Sequence, residues 1–233
     1  MPALDIVVLA SGRGGNLAAI LDAIDAGRCD ARVVGIVSDK ADAGALVQGQ
    51  NRDIPTRVVP LARGGDRDAW NVALADAVAE LAPQVVVLAG FMRILGAPLL
   101  ERFPGKLVNV HPSLLPAFPG HDAPVQAVAA GVRISGCTVH VVTEGMDEGP
   151  ILAQAAVPVL AGDTEDSLAA RVLGVTGATD IAGGWNGACA LSAGRVYCMG
   201  RNNEERFGLG AMPSDGSSRS SIAGRAITAR PIA

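Results

Sequence analysis

Short apolar runs rich in β-branched residues alternate along the chain with segments whose apolar positions recur at helical spacing. The runs are Ile6-Val7-Val8-Leu9, Val33-Val34-Gly35-Ile36-Val37, Val58-Val59 and Val85-Val86-Val87-Leu88, and helical segments over 17–24, 45–50 and 70–81 lie between them. Strands this uniformly apolar are buried on both faces. The pattern therefore predicts an α/β fold: a doubly wound, mostly parallel sheet with right-handed crossovers and helices on either side. Ligands of such sheets bind beyond the carboxyl ends of the strands. Further along, 106–110 predicts another strand, 124–130 a helix, and 136–142 with 151–157 an antiparallel pair. Thr164-Glu165-Asp166 opens a last helix, with Thr164 as its cap and Leu168, Val172 and Leu173 as its apolar positions.

Near Gly174 the pattern stops. Residues 174–233 carry six arginines and no lysine, are rich in Gly and Ser, and lose the helical period. The organisation this predicts is one α/β domain over 1–173, a small β-rich unit over 174–212 and a flexible end over 213–233.

Composition narrows the function classes. The 233 residues are 49% hydrophobic with a net charge of −4, enough for a sizeable core and without a general attraction for nucleic acid. No apolar run reaches the roughly 18 residues that a membrane-spanning helix needs, and the N-terminus lacks the pattern of a signal peptide. Cys29, Cys137, Cys189 and Cys198 fit no zinc spacing or disulfide framework. The expectation is a cytoplasmic chain with small-molecule partners, no nucleic acid and no membrane, as a monomer or homodimer.

Two loops carry candidate chemistry. Ser11-Gly12-Arg13-Gly14-Gly15-Asn16 joins the first strand to the first helix, where free N–H groups and the helix dipole favour an anion. As a dinucleotide fingerprint it fails, because Leu17 stands where the third glycine belongs, although Asp39 ends the second strand about where a ribose-binding acid would sit. The second loop, Asn109-Val110-His111-Pro112-Ser113-Leu114-Leu115-Pro116, ends an apolar strand. Asn109 and His111 are two apart, so both side chains leave on one face at the ligand edge. His140, in an apolar strand, reads as packed or paired there rather than catalytic. His121 is loop-borne. The acids around Asp147 read as solvated loop groups, so no metal is expected.

The Asn-x-His-Pro-Ser-Leu-Leu-Pro run resembles the signature of the folate-dependent formyltransferases. Four further blocks share the resemblance in order and spacing: residues 11–17; Ala89-Gly90-Phe91-Met92-Arg93-Ile94-Leu95; Gly136-Cys137-Thr138-Val139-His140; and Met146-Asp147-Glu148-Gly149-Pro150-Ile151. The resemblance implies a Rossmann-like fold and transfer of a formyl group from 10-formyltetrahydrofolate, as co-substrate, to an amine. The phosphate loop favours 5-phosphoribosylglycinamide, an intermediate of purine synthesis, as the acceptor, while the shared trio leaves other amines open. It places Asn109, His111 and Asp147 on the catalytic trio, and Gly14, Gly15 and Asn16 on the substrate-phosphate loop, with Gly15 where a serine is usual. Arg67, Asn109 and Met92, Arg93, Ile94 and Leu95 fall on folate-contacting positions.

The resemblance ends at Leu173. A further substrate-binding carboxylate, which the family carries just beyond, is absent from Gly174-Val175-Thr176-Gly177. From Val175 to Gly210 the sequence instead resembles one repeat of the regulator-of-chromosome-condensation type of β-propeller, with Cys189 and Cys198 facing each other across a hairpin as thiols. Such repeats bury their faces against neighbours, so a lone copy is marginal by itself. An inactive fusion of a transferase domain with an interaction module therefore stands as the alternative reading.

Overall fold

The computed structural model describes residues 3–176 and, beyond them, 180–184, 187–192 and 195–200. In chain order the elements are β1 (Leu4–Leu9), α1 (Gly15–Asp25), β2 (Ala31–Ser38), α2 (Gly44–Gln50), β3 (Thr56–Val58), α3 (Arg67–Ala79) and β4 (Val85–Leu88). There follow α4 (Ala97–Arg102), β5 (Leu107–His111), α5 (Ala123–Ala129), β6 (Ile134–Val141), β7 (Ile151–Pro158) and α6 (Glu165–Thr176).

Seven strands form one sheet in the order β3-β2-β1-β4-β5-β6-β7. The first five run parallel, and β6 and β7 are antiparallel to their neighbours. The alternation of β1 shows how the sheet is covered. Ile6 and Val8 pack with Leu17, Ile20 and Leu46 of α1 and α2 on one face, while Val7 and Leu9 pack with Trp70, Leu74 and Leu99 of α3 and α4 on the other. A third cluster, with Ala127, Cys137, Val157, Leu168 and Val172, seats α5 and α6 against β6 and β7. Thr164 caps α6 as its sequence predicts, its hydroxyl accepting from the Ser167 N–H at 3.3 Å. The short helix α4, which begins Ala97-Pro98, was not signalled by periodicity.

The strand order reverses beside β1: β2 follows on one side and β4 on the other. At such a switch point the loops after the two central strands diverge and leave a crevice. Here those loops are the glycine-rich stretch after β1 and residues 89–96 after β4, with the end of β5 alongside.

The strands β8 (Asp180–Gly184), β9 (Gly187–Ser192) and β10 (Arg195–Gly200) form an antiparallel sheet in the order β10-β9-β8. Cys189 and Cys198 stand opposite each other in its register. The Phe207-Gly208-Leu209-Gly210 block and the end over 213–233 lie outside the described residues.

Candidate active site

β5 ends in Asn109-Val110-His111 and pairs antiparallel with β6, which sets Asn109 opposite His140 and His111 opposite Thr138. The loop over 145–149 then returns across this edge. It is drawn tight at Gly149, where any side chain would run into the Val141 carbonyl, and Asp147 adopts a left-handed backbone with φ 55°. The turn directs the Asp147 carboxylate between the strand ends, where it meets four groups. One oxygen lies 3.3 Å from His111 Nδ1 and accepts from the Gly120 N–H at 2.8 Å; the other lies 3.4 Å from Asn109 Nδ2 and 3.5 Å from His140 Nε2. Asn109, His111 and Asp147 are thus one constellation, with His111 buried.

His140 is buried and paired, as its apolar strand predicts, but its partner is Asn109. The ring Nδ1 sits 3.0 Å from the Val141 carbonyl, which can only accept, so Nδ1 carries a proton. Burial, the largest influence, pushes the His140 pKa down, and the nearby Val141 carbonyl and Asp147 offset this only in part. A neutral ring protonated at Nδ1 leaves Nε2 as an acceptor for the Asn109 amide N–H, 3.1 Å away. This fixes which way the amide faces. The pattern of sequence positions gave no sign of that role, because the pairing arises from cross-strand register and not from spacing within one strand.

His111 has acceptors at both ring nitrogens. Nε2 lies 2.9 Å from the Phe118 carbonyl and Nδ1 faces Asp147. Only a doubly protonated ring donates to both. The long contacts, at 3.3 Å from His111 and 3.4 Å from Asn109, both converge on Asp147, whereas the bonds holding the framework are shorter. The two donors aimed at Asp147 are therefore the ones a bound acceptor oxygen can most readily recruit, since catalytic hydrogen bonds are often slack before substrate arrives.

The glycine-rich loop caps α1 by backbone alone. Gly14 is left-handed at φ 82°, no side chain caps the helix, and no acid stands in its first turn. Gln48 Nε2 donates to the carbonyls of Arg13, at 2.9 Å, and Gly14, at 3.2 Å. An amide N–H points opposite the carbonyl of its own peptide, so the N–H groups of Gly14 and Gly15 turn away from α2. Beside Gly15 lie the methyls of Leu173 from α6, the nearer 3.4 Å from where a Cβ would stand.

The segment over 92–95 leaves Met92 and Ile94 exposed and is braced from three sides. Arg67, stacked 5.3 Å over the Trp70 ring, donates to the Ile94 carbonyl. Arg93 Nε donates to Asp39 at 2.7 Å, and Ser11 Oγ accepts from the Met92 N–H at 2.9 Å. Asp39, whose side chain is wholly buried, is thus committed to Arg93 and is not placed as a ribose ligand. Among the described residues no cluster of His, Cys, Asp or Glu is arranged to hold a metal ion, and no helix is long and apolar enough to cross a membrane.

The mostly parallel sheet is covered by helices on both faces, and the profile of a family described as "Formyl transferase" matches residues 4–178. The chain belongs to this family. Within it, the sequence is 48% identical over 167 residues to the phosphoribosylglycinamide formyltransferase of Mycobacterium tuberculosis, covering 72% of this chain and 77% of that one. It is 43% identical over 169 residues to the enzyme of the same name from Escherichia coli, covering 72% and 80%. The structure resembles crystalline glycinamide ribonucleotide transformylase 1 from Symbiobacterium toebii with a TM-score of 0.72 and 46% identity, covering 75% of this chain and 82% of that one.

Proposed function

We propose that this chain transfers the formyl group of 10-formyltetrahydrofolate to the amine of 5-phosphoribosylglycinamide, a step of purine synthesis carried out in the cytoplasm. The observation that carries the reading is the convergence of the Asn109 and His111 donors on Asp147 at the end of β5, beside a loop built for an anion.

The amine attacks the formyl carbon and negative charge gathers on the formyl oxygen. Asn109 Nδ2 and His111 re-aim from Asp147 to that oxygen and stabilise it; one such donor is typically worth about 3 kcal/mol in the transition state. Asp147, released from them, takes the proton the amine must lose, directly or through water. Collapse of the tetrahedral intermediate expels the folate nitrogen, which needs a proton that His111 can supply. No metal enters the scheme.

Gly14, Gly15 and Asn16 receive the substrate phosphate at the start of α1. Exposed Met92 and Ile94, with Arg93, Leu95 and Arg67, border the folate, for which the braced backbone over 92–95 offers its free polar groups. Residues 1–173 form the transferase domain, acting as a monomer or homodimer. We assign 174–212 to a single propeller-type repeat, supported by the antiparallel order of β8, β9 and β10.

The acceptor is tested by comparing phosphoribosylglycinamide with the same glycinamide riboside lacking its phosphate. A KM at least tenfold higher without the phosphate supports the assignment; equal KM values point to another amine.

A further inference from the structure

Residues 91–96 form neither helix nor strand, so their path is set by the few side chains that hold them. One link runs to the other loop of the crevice. Ser11, the first residue of the glycine-rich loop and 2% exposed, donates its backbone N–H to the Gly90 carbonyl at 3.0 Å and accepts the Met92 N–H on Oγ at 2.9 Å. One residue therefore clips the loop after β1 to the loop after β4 at two points, across the place where the strand order reverses. On the other side, the glycine-rich loop is tied to α2 by Gln48 and by the Ala45 N–H, which donates to the Gly12 carbonyl at 3.2 Å. Between these ties Gly12, Gly14 and Gly15 give the backbone several conformations to lose.

We propose that Ser11 is a positioning residue that couples the two substrate sites, so that phosphate bound on the glycine-rich loop tightens the pterin-side loop over 92–95 and raises affinity for the folate. The inference rests on the assignment of those two loops to the two substrates. An anion ordering residues 12–16 narrows the positions open to Ser11, and through Oγ those open to the Met92 N–H. The second ligand then meets a segment that has already lost part of its freedom, which is positive cooperativity without a large movement. Linkage requires the effect to be reciprocal. Asp39 and Arg67 brace the same segment from outside the glycine-rich loop, so their removal loosens the folate site without uncoupling it.

The test is calorimetric titration of the full chain with tetrahydrofolate, which has no formyl group to transfer, with and without saturating phosphoribosylglycinamide. The expected result for the unaltered chain is folate binding about fivefold or more tighter with the second ligand present, within the usual range of such couplings. In Ser11→Ala, and in the near-isosteric Ser11→Cys with its poor acceptor, the factor falls to about one, while Arg67→Ala weakens folate binding and keeps the factor. A merely structural role for Ser11 would weaken both ligands and leave their ratio unchanged. Two bound ligands with no coupling in the unaltered chain, or an equal factor in the Ser11 variants, overturn the proposal alone. Absence of folate binding in the unaltered chain overturns the functional reading beneath it.

Discussion

Asn109 and His140 face each other across the β5–β6 pair with 3.1 Å between the amide nitrogen and the ring Nε2, so a histidine held neutral by burial aims the asparagine proposed above as an oxyanion donor. Removing the acceptor frees the amide to rotate. His140→Ala is expected to lower kcat by about tenfold or more while leaving KM for both substrates within about threefold, since the interaction matters in the transition state. His140→Gln, which can still present an acceptor, should recover part of the loss. Steady-state kinetics on the two variants check this.

The same pairing sets a pH dependence. Because the folded pKa of His140 lies below its ordinary value of 6.5, the folded state binds fewer protons than the unfolded one in the window beneath that value. Stability contributed by the neutral ring is complete above about pH 6.5 and falls as pH drops below it. Protonation also turns Nε2 into a donor and repels the Asn109 amide. Thermal melts and kcat profiles from pH 8 to 5 should show both declining together, and His140→Gln should flatten the stability profile in that range.

Asp163 and Arg171 fasten α6. The carboxylate takes two bonds from the Arg171 guanidinium, and these, with the Leu160 N–H and the Ser167 hydroxyl, hold Asp163 well below the usual carboxylate range. A depressed carboxylate contributes stability above its unfolded value of 3.8 and loses it as pH falls further. Acid melts of Asp163→Asn should start from a lower melting temperature near neutrality and lose less of it on acidification below about pH 4.

Gly15 lies on the loop proposed to take the substrate phosphate, and the Leu173 methyls leave room for a Cβ at 3.4 Å. Gly15→Ser is expected to lower KM for phosphoribosylglycinamide severalfold with kcat nearly unchanged, the signature of added ground-state binding. An unchanged KM would mean that the loop does not meet the phosphate there.

The sheet was legible because the apolar runs of β1, β2 and β4 alternate with helical segments, as the strands of a doubly covered parallel sheet do. The Asn109–His111 edge was legible from period two and from the family signature around it. Three features were not. His140 came to Asn109 through the register of β6, and Asp39 and Ser11 came to Arg93 and Met92 through the order of strands in the sheet. Each contact joins residues far apart in sequence, and strand order and register are consequences of global packing that local periodicity does not encode. Helix α4 escaped for the opposite reason, being too short to display a period.

In the proposed mechanism Asn109 and His111 act on the formyl group with Asp147 behind them. This is tested most directly by following formyl transfer from 10-formyltetrahydrofolate to phosphoribosylglycinamide with the purified full chain beside its folded His111→Ala variant. Turnover by the first is expected, with a loss of a hundredfold or more in the second, about the worth of one oxyanion donor. Equal rates, or a folded full chain with no turnover, would contradict it; the second result would favour a degenerate transferase fused to a β-rich module.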